Sequence, residues 1–426
     1  MLLFARRGSG MALKVRINLF PAKLICQFCA VIVPYGPNCS LAMHEAEKQM
    51  KLSEEALRIH RDALVLDGHN DLADKIRDRG YSTLEGFSLE DPPCGFQTDI
   101  PRLRRGGLKA QVWVAFVPPE FMWSGEAGRV CFEQIDLIHR LVEKHRDHLE
   151  LALTAGDVER IAGEGKIASL IGVEGGHAIE DSPGRLTEFY NLGARYMTLT
   201  HNDTTTWADS SYDEARNGGL TGFGREVVQE MNRLGMLVDV SHASDQTVWD
   251  AVYASRVPVI ASHSSSRALC GVRRNLSDEL IEAVADTGGI VMVNFYPVFL
   301  APEGVEVENA YFEKSMELKR KQLSPEAFRK AMQVFERDRP PLPHCSVKDV
   351  ADHLERIIRV AGIDHAGLGS DFDGIPFGPD QVPDVSGFPH ITQALLDRGY
   401  EEEAIRKVLG GNFLRVLRDA ETFRKK

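Results

Sequence analysis

Eight short apolar runs recur along the chain, and most of them are followed by a polar or glycine-rich tip and then by a helical pattern. The runs cover residues 63–67, 109–117, 168–173, 194–200, 236–240, 258–262, 289–295 and 366–370. Apolar runs of this length are typical of buried strands. Strands that alternate with helices indicate parallel β-α-β units, and eight such units predict a (β/α)8 TIM barrel.

An open, doubly wound parallel sheet is the competing architecture. It ordinarily carries a glycine-rich phosphate loop after an early strand, and no G-x-G-x-x-G follows the first run here. The charged, proline-rich segment at about 297–347 is interpreted as a partly helical insertion after strand seven, which could cover or border the barrel mouth. The predicted helices include 130–145, 186–191, 222–234, 244–255 and 277–287, with Ser244 and Ser277 as N-caps.

The composition is that of a globular protein. The 426 residues are 43% hydrophobic and 26% charged, which suits a large barrel with insertions. The formal net charge of -12 gives no electrostatic support for nucleic-acid binding, and no nucleic-acid partner is predicted.

The first 42 residues differ from the rest of the chain. They carry five basic residues and no acidic one, then an apolar stretch at 24–33 and the small-x-small sequence "SLA" at 40–42. This order is typical of a secretory signal, with a disordered extension or a start codon assigned too early as alternatives. We therefore predict a signal peptide at 1–42 and a single barrel domain at 43–426. The protein would be exported, to the periplasm or outside the cell, if the signal is used, and cytoplasmic otherwise.

The sequence predicts no membrane anchor and leaves the pairing of the cysteines open. The ending "DAETFRKK" has no apolar tail of the kind that directs a lipid anchor. Three of the seven cysteines lie in the predicted leader, where a C-x-x-C pair sits in an apolar core. The other four could form one or two disulfides or be buried thiols; they are Cys94, Cys131, Cys270 and Cys345.

Histidines and carboxylates gather at six of the eight predicted strand tips. Along the chain they are His69, Asp71, Glu174, His201, Asp203, His242, His263, Asp371 and Asp373. Because the carboxyl ends of parallel barrel strands meet at one mouth, these side chains are expected to converge. A single histidine at a strand end is more often structural, Asp71 could cap the next helix, and Asp373 is interpreted as a turn residue. The repetition at matching tips favours a shared site.

Imidazole and carboxylate ligands together suit zinc and other first-row divalent ions. His69 and Asp71 are two residues apart at one strand end, where alternate side chains point to the same side. Glu174 has two oxygens and could bridge two ions, with His242 and His263 completing the second. Two ions about 3.5 Å apart can share a hydroxide and polarise a carbonyl. The glycines after Glu174 are expected to leave space for metals and substrate.

Further residues are candidates for catalysis and substrate binding. Asp371 could pass a proton to a leaving amine, or it could orient a metal-bound histidine from behind. His201 could hydrogen-bond a substrate carbonyl and stabilise a developing oxyanion. Either Arg273 or Arg274 could bind a substrate carboxylate, with a solvated rim as the alternative for the pair.

Ten stretches, in order along the chain, carry a family resemblance. They are "DGHNDL" (67–72), "TDIPRLRRGGLKAQVW" (98–113), "GVEGGHAI" (172–179), "YMTLTHND" (196–203), "WADS" (207–210), "LVDVSHAS" (237–244), "VIASHSSSRAL" (259–269), "RRNLSDE" (273–279), "GGIVMVNF" (288–295) and "GLGSDFDG" (367–374). Over roughly residues 60–417 the chain resembles the membrane (renal) dipeptidases and their bacterial relatives.

The resemblance implies a metal-dependent TIM barrel of the amidohydrolase kind with two zinc ions per subunit. It implies that His69 and Asp71 hold one ion, that His242 and His263 hold the other, and that Glu174 bridges both.

The same resemblance assigns the remaining roles. It makes Asp371 the proton-transferring acid and base, and His201 a contact of the substrate or tetrahedral intermediate. It also selects Arg274 over Arg273 as the residue that binds the C-terminal carboxylate of a dipeptide. The N-terminal extension and the segment 297–347 depart from the family pattern, which leaves the substrate range open.

The predicted function is therefore that of a zinc metallodipeptidase, with L,D-dipeptides among its substrates and a homodimer as a possible assembly. One alternative is a relative with the same site that serves small-molecule biosynthesis as an amide hydrolase or isomerase. Another is a non-catalytic metal-binding relative, although such a chain would usually have lost a ligand or the acid/base residue.

Overall fold

The predicted strands form a parallel barrel. The computed structural model describes residues 50–424 except Trp123, so the predicted leader and its three cysteines lie outside the described residues. The strands are β1 (Val65–Asn70), β2 (Leu108–Phe116), β3 (Leu149–Leu151), β4 (Ile167–Glu174), β5 (Ala194–Thr198), β6 (Leu237–Asp239), β7 (Val259–Ala261), β8 (Ile290–Val293) and β9 (Ala366–Leu368). Hydrogen-bonded neighbours follow the order β1-β2-β4-β5-β6-β7-β8-β9 and pair in parallel. The TIM-barrel prediction is confirmed.

The barrel closes between β1 and β9 near its mouth. Asn70 and Phe372 form a parallel bridge, and the backbone N–H of Asp371 donates to the carbonyl of His69 at 3.1 Å. The first and last strands therefore meet where the predicted site residues lie.

The sequence did not predict the short strand β3. It pairs with the first part of β4, from Ile167 to Ser169, on the edge where β5 pairs with the later residues of the same strand. A three-residue Leu-Glu-Leu segment carries too little pattern to be recognised as a strand.

Helices alternate with the strands and surround the barrel. They are α1 (Glu54–Asp62), α2 (Leu72–Asp78), α3 (Ile100–Arg105), α4 (Ala127–Lys144), α5 (Ala155–Gly163), α6 (Pro183–Asn191), α7 (Gly222–Leu234), α8 (Asp245–Ala254), α9 (Asp278–Asp286), α10 (Pro297–Leu300), α11 (Gly304–Arg320), α12 (Pro325–Asp338), α13 (Val347–Ala361), α14 (Phe388–Asp397), α15 (Glu402–Arg406) and α16 (Asn412–Arg424). The predicted N-caps are correct, because the hydroxyls of Ser244 and Ser277 accept from the backbone N–H groups of Thr247 and Leu280.

The predicted insertion consists mainly of α10, α11 and α12. Helix α11 is attached to the loops at the barrel mouth at two points. Glu308 pairs with Arg273 at 3.1 Å, and Lys319 pairs with Asp213 at 3.1 Å. The insertion therefore borders the mouth, as expected.

Inside the barrel, one glycine makes room for a large side chain that reaches the mouth. A Cβ atom at Gly172 would collide with the ring of Tyr196. Without this side chain, the Tyr196 ring lies across the interior, and its hydroxyl comes to 3.0 Å from Nδ1 of His69. The first glycine of "GVEGG" thus helps to position a residue of the site.

Within the described residues, no helix has both the length and the hydrophobicity that crossing a membrane requires. The four cysteines of the body are free thiols, three of them buried and Cys94 exposed. The structure thus favours unpaired thiols over the disulfides that the sequence left open.

Candidate active site

The predicted site residues come together at the carboxyl ends of the strands. His69 lies in β1, Glu174 ends β4, and the others lie within a few residues of β1, β5, β6, β7 and β9 or, for Arg274, in the loop that precedes α9. A cavity of about 540 Å³ opens here. Its lining includes Asp71, Glu174, His201, His242, Arg274 and Asp371. His69 and His263 lie buried at the site, with their ring centres 3.7 Å apart.

Glu174 lies at the centre of the cluster. Its Oε1 is 3.0 Å from Nε2 of His242 and 3.3 Å from Nε2 of His263, while Oε2 is 3.6 Å from Nε2 of His69. Oδ2 of Asp71 is 3.5 Å from the same His69 nitrogen. One carboxylate therefore faces two groups of donors, the arrangement expected of a bridging ligand.

The imidazoles present lone pairs to one another. The hydroxyl of Tyr196 is 3.1 Å from the carbonyl of Gly68, which can only accept, so this hydroxyl accepts from Nδ1–H of His69. Nδ1 of His242 similarly faces the amide oxygen of Asn202 at 3.0 Å. With their hydrogens on Nδ1, both rings point Nε2 into the cluster, where this nitrogen can bind a cation in place of a proton.

These donors fit a divalent cation. Nε2 of His242 and Nε2 of His263 are 2.9 Å apart, and when both rings carry their hydrogen on Nδ1, the two lone pairs repel at this distance unless a cation lies between them and the carboxylate. Nε2 of His69 is buried and has no hydrogen-bond partner. Neutral histidine and carboxylate together are the ligand set of zinc and related ions. Ligand atoms of His69, Glu174 and His263 all lie within 4.8 Å of one another.

Electrostatics support the same interpretation. Burial lowers the pKa values of His242 and His263 well below the usual value, and the positive charge of Arg274 adds to this effect, so both rings stay neutral. Burial also lowers the pKa of His69, but the carboxylates of Glu174 and Asp71 outweigh it and raise that pKa well above its usual value. The carboxylates therefore favour positive charge at this point of the cluster.

Asp371 faces the cavity beside His69 and Asp71. Its Oδ2 accepts from the amide of Asn294 at 2.8 Å, and its backbone has a left-handed φ of 65°. Removal from water raises the pKa of Asp371 to about 7, and the nearby carboxylate of Asp71 adds to this shift. A carboxyl group with such a pKa can both take up and release a proton near neutral pH.

The two arginines have different environments. Arg273 pairs with Glu308 and lies over the ring of Phe312 at 4.2 Å, away from the cluster. Arg274 is 2% exposed and donates to the Ser264 hydroxyl at 3.2 Å, while its Nε has no partner. Of the two arginines, Arg274 is thus the better candidate for binding a substrate carboxylate, because it lines the cavity and retains an unpaired N–H.

His201 lies beside His242 in the cavity wall. Its ring centre is 4.4 Å from that of His242 and 4.7 Å from that of Phe116. Nδ1 of His201 is buried without a partner, and burial lowers the pKa of this ring well below its usual value. It is therefore a neutral imidazole with hydrogen-bonding capacity left for a bound molecule.

Three expectations for single residues have clear outcomes. Asp71 occupies the N-cap position of α2, but its side chain makes no capping bond, which leaves its carboxylate to the cluster. Asp373 is a turn residue, as expected, with a left-handed φ of 66°, and its carboxylate accepts from the backbone N–H of Gln97 at 2.8 Å. Asp203 follows the strand tip but pairs with Lys319 of the insertion.

The expectation that the glycines after Glu174 leave space for metals and substrate was wrong. A side chain at Gly176 would collide with the carbonyl of Leu199 and the ring of Trp207, and one at Gly175 would meet His177. These glycines permit close packing of the loop behind Glu174, and they do not line the cavity.

The pattern of strand tips did not reveal the residues that support the site residues through hydrogen bonds. They are Tyr196, Asn202, Asp239, Ser262 and Asn294. A usable signal was present for two of them, because a tyrosine and an aspartate interrupt the apolar runs at 194–200 and 236–240.

Most of this chain matches known proteins. A family model described as membrane dipeptidase (peptidase family M19) matches residues 53–426. Dipeptidase 3 of Mus musculus is 36% identical over 385 residues, which cover 88% of this chain and 68% of that protein. Dipeptidase aclJ of Aspergillus oryzae is 37% identical over 367 residues, which cover 84% of this chain and 78% of that protein.

Solved structures share the fold. The crystal structure of an amidohydrolase from Pseudomonas aeruginosa matches with a TM-score of 0.65 and 26% identity, covering 86% of this chain and 98% of that one. The probable dipeptidase PvdM of the same organism matches with a TM-score of 0.72 and 24% identity, covering 87% and 98%.

Proposed function

The chain belongs to the membrane dipeptidase family, peptidase family M19, and from this premise we propose that it is a zinc-dependent dipeptidase with two ions per subunit. The observation that carries the proposal is the position of Glu174 between the Nε2 atoms of His242 and His263 on one side and His69 on the other. His69 and Asp71 would hold one ion, His242 and His263 the other, and Glu174 both.

The metal ions would supply an activated water and would polarise the carbonyl that is attacked. Asp371 takes the proton from the attacking water and gives it to the amine that leaves, a role that suits its position in the cavity wall. His201 donates a hydrogen bond to the oxygen on which negative charge develops, and so lowers the barrier.

Arg274 would select for substrates with a free C-terminal carboxylate. A guanidinium group binds a carboxylate through paired, charge-assisted hydrogen bonds. The unpartnered Nε of this residue and its position in the cavity wall support the assignment. A cavity of about 540 Å³ suits a small molecule, and acceptance of L,D-dipeptides is part of the proposal.

The test combines metal analysis with an assay on matched substrates. We expect about two equivalents of zinc per chain, and hydrolysis of L,L- and L,D-dipeptides that stops when a chelator removes the metal and resumes when zinc is returned. Dipeptide amides, which lack the carboxylate, should react far more slowly than the free dipeptides.

Other outcomes would point elsewhere. Zinc binding without cleavage of any dipeptide would favour a relative that acts on another amide or isomerises its substrate. Cleavage that survives complete metal removal would contradict the proposed mechanism. Export through the leader and assembly as a homodimer remain predictions, to be checked by N-terminal sequencing of the mature protein and by light scattering.

A further inference from the structure

The carboxylate of Asp239, at the end of β6, is fully buried behind the candidate metal ligands. Its Oδ2 accepts from the hydroxyls of Ser262 and Thr198, both at 2.6 Å. Its Oδ1 accepts from the backbone N–H groups of Ser262 at 2.8 Å and Ser241 at 3.1 Å. Donors from β5, from the segment after β6 and from the segment after β7 therefore hold one carboxylate in a fixed position.

The hydroxyl of Ser262 connects this carboxylate to a ligand. A serine hydroxyl has one hydrogen, and the Asp239 carboxylate, already surrounded by donors, receives it. Ser262 Oγ must then accept from Nδ1–H of His263, which lies 2.7 Å away. With its hydrogen on Nδ1, His263 directs the lone pair of Nε2 toward Glu174, 3.3 Å away. The chain of bonds from Asp239 through Ser262 to His263 thus selects the tautomer that can bind a metal ion.

We propose that Asp239 and Ser262 are positioning residues that fix the tautomer and ring orientation of His263, and thereby set the affinity of the second ion. This inference rests on the proposed metal site. Hydrogen-bond partners behind a ligating histidine typically contribute 10–100-fold to metal affinity. His69 Nδ1 lies closer to the Tyr196 hydroxyl, at 3.0 Å, than to Ser262 Oγ, at 3.4 Å, so the ion bound to His69 depends less on this chain of bonds.

Two substitutions disturb the bond chain in different ways. Ser262→Ala removes the acceptor and leaves Nδ1–H of His263 buried without a partner. Asp239→Asn keeps the shape but adds an amide N–H that can donate to Ser262 Oγ, which turns the serine hydrogen toward His263 and favours the wrong tautomer. Ser169→Ala is the matched control, because Ser169 in β4 is also fully buried and its hydroxyl has no partner.

The experiment measures zinc affinity by competition with a chromophoric chelator, and the tautomer of His263 by nitrogen NMR of metal-free protein labelled at histidine. We expect the wild type and Ser169→Ala to bind two ions with similar affinity. In Ser262→Ala and Asp239→Asn, the affinity for one ion should fall about 10–100-fold. In Asp239→Asn the NMR signal of His263 should shift to the Nε2–H form, which a purely structural role would not cause.

The outcomes separate this inference from the proposed function. Absence of zinc binding in the wild type would overturn both. Normal zinc binding by the wild type, Ser262→Ala and Asp239→Asn would overturn the inference alone. The same holds if the two variants lose no more affinity than the control Ser169→Ala. If Ser262→Ala does not fold, the affinity and the NMR signature of Asp239→Asn decide the question.

Discussion

Among single residues, Asp371 offers the most direct test of proton transfer. Its carboxylate accepts from Asn294 at 2.8 Å and lies beside Asp71. Asp371→Asn keeps the size and one acceptor but cannot take up a proton. We predict that kcat falls about 10²–10⁴-fold, the usual contribution of a positioned acid or base, while the zinc content is unchanged. Steady-state kinetics and metal analysis of the same preparation provide the measurement.

Asp380→Asn is a suitable control, because Asp380 is an exposed residue in the same part of the chain. It should retain wild-type kcat and zinc content. Full activity in Asp371→Asn would remove this residue from the mechanism, and loss of zinc together with activity would make it a ligand instead.

His177 gives a prediction about pH and stability. It is buried, and burial lowers its pKa to about 4. The folded state resists protonation of His177. The stability that this neutral ring allows is therefore fully present above the unfolded pKa of about 6.5, and it is lost as the pH falls toward 4. The shift corresponds to about 3 kcal/mol of unfolding free energy.

We therefore expect His177→Leu to lose less stability than the wild type between pH 6.5 and 4. Urea unfolding of metal-free protein at several pH values measures this, because metal release would otherwise contribute to the profile. His344→Leu, at an exposed position, should behave like the wild type. Parallel profiles for the wild type and His177→Leu would show that His177 is protonated as easily in the folded protein as in the unfolded chain.

Residues of the site differ in how far the sequence reveals them. His69, Glu174 and His263 were predictable because they recur at strand tips, and the parallel topology alone brings strand tips together. Asp239 stands out as a charged residue in an apolar run, but neither it nor Ser262 indicates in the sequence which residue it binds. Their bonds cross between neighbouring strands, so they depend on the strand register, which the local sequence does not specify.

At the scale of elements, α11 determines the shape of one wall of the cavity. Glu308 on this helix is 2% exposed, and its carboxylate accepts from the backbone N–H of Arg273 at 2.6 Å and from its guanidinium at 3.1 Å. The loop held in this way carries Arg274. We predict that Glu308→Gln costs about 1–3 kcal/mol of stability, because a buried charged hydrogen bond is lost. It should also raise KM for dipeptides without changing the zinc content.

Glu306→Gln is the control for this prediction, since Glu306 is exposed on the same helix. It should leave both the melting temperature and KM unchanged. An effect of Glu308→Gln on kcat alone would contradict a role in holding the carboxylate-binding loop. Thermal unfolding and steady-state kinetics distinguish these cases.

The elements themselves were largely predictable. Each of the eight apolar runs contains or overlaps a barrel strand, because a strand that is covered on both faces must be apolar throughout. The strand β3 was missed because it has only three residues. The sequence could not predict the two ion pairs that attach the insertion to the barrel mouth. Glu308 and Lys319 lie among many other charged residues of that segment, and only the fold shows which of them contact the barrel loops.

At the scale of the whole molecule, the site and the closure of the barrel occupy the same place. The seam between β1 and β9 is held by the Asn70–Phe372 bridge and by bonds from Ser370 to the buried carboxylate of Asp67 at 2.6 and 2.7 Å. His69 lies in β1, next to this seam, and Glu174 ends β4. A metal ion bound by both residues would link β1 to β4 across the mouth. Bound metal should therefore stabilise the seam more than the rest of the barrel.

Removal of the metal tests this connection. We predict that a chelator lowers the melting temperature by several degrees, since ligand binding at 100 times its dissociation constant adds about 2.7 kcal/mol. Backbone hydrogen exchange should accelerate most in β1 and β9 and least in the middle of β4, which is paired on both edges.

Glu174→Gln weakens the bridge between the two halves of the cluster. Zinc should therefore raise the melting temperature of this variant less than that of the wild type. Uniform acceleration over all strands would mean that the metal stabilises the barrel only globally, and an unchanged melting temperature would mean that the barrel closes without it.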